Sequence, residues 1–337
     1  MTVAADRVAV PEAPDIPGLT FRRLRLPDDL EPLVDLFNVV DEFDHVQDRT
    51  DLAGLAEWYA NASGYDPLRD CLIAQVGDAV VGYGKVHWVD DTDGGRNYAS
   101  WGAVHPDWRR RGLGRAILRA NHRRLREIAA THDLASDVPR RFESWAAETQ
   151  VGALGLLESE GMTVARYFFE MLRPNLDDVA EFPLPEGIEV RAMRPEAYRQ
   201  VWAADIEAFS DHWGGMDSSE QMFQRFFSGP SFEPGLWRVA WEGDQVAGSV
   251  SNVVMREFNA ATGARRGLLA GVSVRRQWRG RGLARALVSQ SLVALRERGM
   301  AEAVLGVDAD NPTGALGVYE ANGFAVSHRE RSYRKPF

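Results

Sequence analysis

One pattern occurs twice along this chain, and a repeat of that length limits the fold more than any single motif does. TFRRLRLPDDLEPLVDLF at 20–37 resembles EVRAMRPEAYRQVWAADI at 189–206. DEFDH at 41–45 resembles EAFSDH at 207–212. AQVGDAVVGYG at 74–84 resembles AWEGDQVAGSV at 240–250, and in both a Gly-Asp pair joins two apolar runs, a hairpin signal. WGAVHPDWRRRGLGRAIL at 101–118 resembles GVSVRRQWRGRGLARALV at 271–288, and ALGLLESEGM at 153–162 resembles ALGVYEANGF at 315–324. Matches in one order define two copies of one domain, at 19–172 and 188–337. The stretch 173–187, with Pro174, Pro183, Pro185 and Gly187, reads as a linker. Residues 1–18, broken by Pro11, Pro14 and Pro17, read as a flexible tail.

Each copy reads as strand, helix or helices, three strands, helix, strand, helix, strands. In the second copy the helix expected over 282–298 carries Ala284, Val288, Leu292 and Leu295 at helical spacing, one apolar stripe. A strand is expected at 302–308, a helix at 312–322 and a last strand near 324–333. Strands with helices between and across them predict an α/β fold of the α+β type, a mixed sheet flanked by helices.

Composition removes several function classes. Lys+Arg is 39 against Asp+Glu 49, a net charge of −10, so phosphate neutralisation along a nucleic acid is not expected. Nearly all the positive charge is Arg; Lys stands only at 85 and 335. The lone cysteine, Cys71, excludes an intrachain disulfide and a Cys-rich zinc site, and points to the cytoplasm. The seven histidines show no metal-ligand spacing. No window approaches a membrane span.

The chemistry sits after the fourth strand. Val272 and Val274 run into a turn holding Gly280 and Gly282, and a helix starts at once. Such a turn aims backbone N–H groups at one point beside the positive end of a helix, which suits a pyrophosphate. Arg279 and Arg281 could add contacts to phosphate oxygens. A Walker loop would need a Lys that neither copy has, and a Rossmann turn would need a third glycine. Downstream, Asn311 is a good helix N-cap, Pro312 a good first helical residue and Gly323 a good stop.

Arg279-Gly280-Arg281-Gly282-Leu283-Ala284, followed by Asn311, Tyr319 and Gly323-Phe324, resembles the GCN5-related N-acetyltransferases. The family motif is [QR]xxGx[GA]. The first copy matches it with Arg109-Arg110-Arg111-Gly112-Leu113-Gly114. The resemblance covers nearly the whole chain and implies two tandem folds of that family, each a twisted, mostly antiparallel sheet with its fourth and fifth strands splayed, often at a bulge. It implies acetyl-coenzyme A as acyl donor and no metal. In the second copy the backbone of Val272, Ser273 and Val274 would pair with the pantetheine, helped by Asn311, and the turn from Arg279 to Arg285 would hold the pyrophosphate. Tyr319 would protonate the leaving thiolate. In the first copy the matching cofactor residues are Val104 and the turn from Arg109 to Arg115.

Setting Gly161 opposite Gly323 puts Leu157 opposite Tyr319 and Thr149 opposite Asn311. Leucine has no proton to give. The second copy is therefore expected to be catalytic and the first degenerate, either binding coenzyme A without turnover or serving as scaffold. The fourth strand of the second copy, 266–274, has no carboxylate to deprotonate an amine. Candidate bases are Glu207, Asp211, His212 and Glu220, with a similar set in the first copy at Asp41, Glu42, Asp44 and His45. Phe209 and Trp213 could line the pocket. The expected activity is acetylation of a primary amine on a small molecule in a ternary complex. Alternatives are a mycothiol synthase-like enzyme, a protein N-terminal acetyltransferase and, from another class, a non-catalytic coenzyme A-binding regulatory or scaffold protein.

Overall fold

The computed structural model describes residues 7–46, 49–62, 64–91, 93–210, 212–213, 218–229, 231–311 and 313–337. Two compact units are present: one ends at Arg166 and takes in Glu330–Phe337, and the other is Tyr167–Arg329.

The first unit runs β1 (Leu19–Arg23), α1 (Leu30–Phe43), α2 (Leu52–Ala60), α3 (Pro67–Asp70), β2 (Cys71–Val76), β3 (Ala79–Asp90), β4 (Arg96–Val104), α4 (Leu113–Ala129), β5 (Arg140–Ala147), α5 (Val151–Ser159) and the start of β6 (Thr163–Arg173). The second runs β7 (Glu189–Arg191), α6 (Tyr198–Phe209), α7 (Glu220–Ser228), β8 (Arg238–Glu242), β9 (Gln245–Val254), α8 (Arg256–Thr262), β10 (Arg266–Val274), α9 (Leu283–Glu297), β11 (Glu302–Asp308), α10 (Ala315–Ala321) and the start of β12 (Ala325–Pro336). The short helix α8, which follows the hairpin strand β9, has no counterpart in the expected order.

Each sheet is mixed. In the first unit β1, β2, β3 and β4 pair antiparallel in turn, and β5 joins β4 in parallel. In the second, β7, β8, β9 and β10 do the same and β11 joins β10 in parallel. The last strand of each sheet departs from the expected boundaries at 172 and 188. Glu330–Pro336 of β12 pairs with β5 in the first unit, and Phe168–Arg173 of β6 pairs with β11 in the second. Each unit is thus closed by the other repeat's final strand.

The 173–187 stretch is held against the second unit. Leu176 is buried, Ser289 donates to the Ala180 carbonyl at 2.6 Å, and Arg296 reaches the Leu176 and Asp177 carbonyls. Residues 7–18 correct the flexible-tail expectation in the same way. Val8 N–H donates to Phe21, Glu12 pairs with Arg123, and Val10 is buried beside Leu113 and Ile117. Val8 and Val10 supply an apolar anchor that proline count alone does not reveal.

The helices bury one stripe each. On α9, Leu283, Ala286, Leu287, Leu292 and Leu295 are buried, while Arg285, Arg296 and Arg298 face outward or lie along its rim. The core of the second unit joins this stripe to Ala303, Leu305 and Val307 of β11 and to Tyr319 and Phe324. α6 lies on the opposite face with Val201 and Trp202 against Val239, Trp241 and Val246.

Candidate active site

In the second unit β10 and β11 stay paired only from Arg266–Glu302 to Leu268–Val304. Beyond that point the strands separate. On its other side β10 remains paired with β9, through Val272–Val250, Ser273–Ser249 and Val274–Gly248. The register shifts between Leu269 and Gly271, a bulge at Ala270. Past Leu268 the edge of β10 that would meet β11 has no strand partner, and the bulge lies where the two strands part. The first unit separates after Ser100–Ser144, but its β3–β4 ladder is continuous, with no bulge from Gly82–Val104 to Asp90–Arg96.

The turn that follows β10 has the shape its glycines require. Gly280 and Gly282 lie at φ +74° and +84°, in the left-handed region, and a Cβ added at either would meet nothing within 4 Å. Gly282 caps α9 with no side-chain bond. Among the described residues the backbone N–H groups from Gly280 through Arg285 donate to no carbonyl. N–H groups without a carbonyl partner and the positive end of α9 thus converge at Gly280–Ala284, an arrangement that suits an anion. The first unit builds the same turn at a cost. Arg110 takes the Gly280 place at φ 61°, and Gly112 lies at +87° with Pro14 only 3.4 Å from its would-be Cβ.

The arginines of the turn, expected to add contacts to phosphate, rest on protein groups in this structure. Arg279 donates from Nε to the Val274 carbonyl at 2.9 Å and from a terminal nitrogen to the Ala208 carbonyl at 3.0 Å. It ties the end of β10 to the end of α6. Arg109 repeats this with Val104 at 2.9 Å and adds a bidentate pair to Asp44 at 2.6 and 2.9 Å. Arg281 turns to Glu242 and the Glu186 carbonyl, Arg111 lies over Trp108, Arg285 over Phe182, and Arg115 pairs with Glu160.

Asn311 also departs from expectation. Gly314, at φ 72°, precedes α10 as its cap, while Asn311 Oδ1 accepts from the N–H and hydroxyl of Thr313 at 2.8 and 2.6 Å. Asn311 closes a turn ahead of the helix instead of capping it. Pro312 lies outside the described residues.

Tyr319 and Leu157 occupy equivalent places. Phe324 N–H donates back to the Tyr319 carbonyl at 3.1 Å, and Met162 N–H to the Leu157 carbonyl at 3.0 Å, each across a left-handed glycine. Tyr319 is buried in the cluster against which Val272 and Val274 pack. Burial pushes its phenol up to about 12, so it keeps its proton across the physiological range.

Two expected bases are engaged elsewhere. Glu207 pairs with Arg275 at 2.7 Å, and Glu220 with Arg199 at 2.5 Å, whose guanidinium pulls the Glu220 carboxyl down to about 2. Asp211 lies outside the described residues. The ring of His212 stands edge-on to Phe209, and Phe209 comes within 3.8 Å of the Cβ position of Gly271. Phe209 therefore borders the bulge.

The carboxylate that sequence reading missed is Asp205. It projects from α6 and is 6% exposed. Its Oδ1 accepts from Ser249 Oγ at 2.8 Å and Ser273 Oγ at 2.5 Å. Burial raises the carboxyl to about 6, against the pull of the two serine hydroxyls. Where the second unit pairs Ser249 with Ser273, the first pairs Tyr83 with Ala103, so the carboxylate–hydroxyl cluster belongs to the second unit alone. The signal was available as polar residues at strand positions expected to be buried, Ser249 and Ser273. Their meeting with a helix carboxylate was not.

A strand edge held open beside a turn of free N–H groups, on a mixed sheet flanked by helices, defines an acyltransferase fold that takes a coenzyme A thioester. A family model described as "Acetyltransferase (GNAT) domain" matches residues 67–158, and another, "Acetyltransferase (GNAT) family", matches 198–324. The mycothiol acetyltransferase of Streptomyces scabiei is 31% identical over 265 residues, 78% of this chain and 79% of that protein. A GCN5-related N-acetyltransferase from Sphaerobacter thermophilus superposes with a TM-score of 0.75 at 25% identity, covering 96% of each chain. A tandem GNAT protein from the clavulanic acid biosynthesis pathway superposes at 0.64 with 19% identity, covering 94% of this chain and 98% of that one. This chain belongs to the GNAT family, as a tandem member, and is an N-acetyltransferase. Among the described residues no cluster could hold a metal ion and no helix is long and apolar enough to cross a membrane.

Proposed function

We propose that the second unit transfers the acetyl group of acetyl-coenzyme A to the primary amine of a small molecule, by direct attack in a ternary complex. The observation that carries this reading is the contrast between Tyr319 and Leu157 at one structural position. Only the second copy places a proton donor there. The open edge of Val272–Val274 supports pantetheine pairing, and the free N–H groups of Gly280–Arg285 support pyrophosphate binding. The relatives named mycothiol acetyltransferase support a small-molecule acceptor of that kind.

The chemistry balances with this chain's own groups. The acceptor ammonium gives a proton to Asp205, which is ionised above about pH 6 and held toward β10 by Ser249 and Ser273. The neutral amine attacks the thioester carbonyl, and an edge N–H of β10 steadies the oxyanion. The C–S bond breaks, Tyr319 protonates the thiolate, and the second proton of the attacking nitrogen passes back to the Tyr319 phenolate as the amide forms. Holding both substrates on one strand edge supplies much of the rate.

The test is to mix the protein with acetyl-coenzyme A and a panel of amines, cysteinyl and aminosugar compounds among them, and follow free thiol. Release that depends on the amine, with an acetylated product by mass spectrometry, supports the reading. Coenzyme A binding without release for any amine would favour a non-catalytic binding protein.

A further inference from the structure

In the first unit, Tyr83, Lys85 and His87 alternate along β3 and share the face covered by α1 and α2. Lys85 is one of two lysines in the chain, and it is 9% exposed. Its ammonium lies 4.1 Å from the Trp58 ring centroid and 5.1 Å from that of Tyr65. Among the described residues no carboxylate pairs with it. The nearby Asp70 is committed to Arg124 at 2.9 Å and to the Asp66 N–H at 2.8 Å.

Two more polar atoms are stranded in the same place. The Tyr65 hydroxyl and His87 Nδ1 are both buried with no hydrogen-bond partner. Cys71 and Tyr59 bond to the Tyr83 hydroxyl at 3.1 and 2.8 Å, and among the described residues neither hydrogen-bonds to the ammonium. A buried cation beside unsatisfied polar groups is rare, because neither loses water cheaply. Aromatic faces soften that cost but do not replace an anion.

We propose that the first unit binds the carboxylate of a small organic acid at Lys85. The ammonium faces the carboxylate, the Tyr65 hydroxyl donates to it, and the Trp58 and Tyr65 rings hold the apolar remainder. The charge count selects a monoanion over phosphate. Among the described residues Lys85 is the cation set against the Trp58 and Tyr65 rings: burial lowers it only to about 8, whereas His87 drops to about 4 and is neutral. Across the ladder Lys85 faces Trp101, at the register position where the second unit sets Ser251 opposite Gly271. The site therefore uses the degenerate copy's acceptor-side face for recognition.

Two lysines make the test direct. Lysine-selective 15N labelling of the full chain gives one side-chain ammonium signal from Lys85 and one from Lys335. These are followed at pH 6.5 and constant ionic strength during titration with sodium acetate, sodium benzoate, inorganic phosphate or sodium chloride. The proposal expects a saturable shift of Lys85 with acetate and a tighter one with benzoate, while Lys335 stays still. Lys85→Met should abolish saturable benzoate binding by calorimetry. Tyr65→Phe, which keeps the cation and the ring, should weaken it about tenfold to a hundredfold, in line with loss of one hydrogen bond to a charged group. A Lys85 signal indifferent to both carboxylates would overturn the site and leave water as the partner. Saturation by phosphate but not by carboxylates would overturn the ligand class.

Discussion

Asp205→Asn should make the protein more stable in the pH range where it makes it less active. The carboxyl is fully buried and rises from 3.8 to about 6. Below pH 3.8 the folded and unfolded chains both carry the proton, and well above 6 neither does. Between those values only the folded chain holds it, so wild-type stability falls as pH rises. A shift of about two units corresponds to ~3 kcal/mol, of which ~1.4 kcal/mol is lost between pH 5 and pH 8. Asparagine cannot titrate, and its Oδ1 can still accept from Ser249 and Ser273 at the 2.8 and 2.5 Å seen for Asp205. The variant should therefore gain ~1.4 kcal/mol on wild type between pH 5 and pH 8. Hydrogen exchange of α6 peptides, resolved by mass, reads this in the second unit alone, which matters because two units need not unfold together. At pH 8 turnover should fall about a hundredfold, the range of a lost acid–base group, with acetyl-coenzyme A affinity unchanged. A stability difference that is the same at pH 5 and pH 8 would refute the argument, because it would mean the carboxylate is not paying for its burial.

Tyr319→Phe should lower the turnover number about a hundredfold or more with little change in acetyl-coenzyme A affinity, while Leu157→Ala should cost ~2–4 kcal/mol of stability in the first unit and leave turnover intact; steady-state kinetics and thermal melts compare them. Because burial holds the Tyr319 phenol near 12, the rate should show no basic limb from this group up to about pH 10, and a limb near pH 8 that disappears in Tyr319→Phe would contradict that protonation state. Gly282→Ala meets no steric obstacle but must hold φ +84°, so it should cost ~1–2 kcal/mol and weaken acetyl-coenzyme A binding measured by calorimetry. Gly280→Arg, which copies Arg110 at φ 61°, should fold and bind more weakly by a smaller factor.

Much of the architecture was legible along the chain because it depends on local chemistry. Helix α9 was expected over 282–298 and runs Leu283–Glu297, and the strand expected at 302–308 is Glu302–Asp308. A glycine turn followed by an apolar stripe can hardly be built otherwise. Asn311 shows the limit of local reasoning. It has the composition of an N-cap, yet Gly314 caps α10 and Asn311 bonds to Thr313, because two turn geometries compete for the same residues. Arg279 shows another limit: its charge is plain from the sequence, but its bonds to the carbonyls of Val274 and Ala208 are set by how β10 and α6 meet.

By itself, the order of residues determined that the fold comes twice, that each copy carries a glycine turn before a helix, and that only the later copy has a phenol at the position of Leu157. These follow from spacing and residue type, which no folding event can alter. The tertiary structure decided which strand closes each sheet, where the cleft opens at Ala270, and that Asp205 meets two serines from two different strands. Strand partners and buried hydrogen bonds join residues far apart in the chain, and periodicity says which face a residue takes without saying what it will touch there.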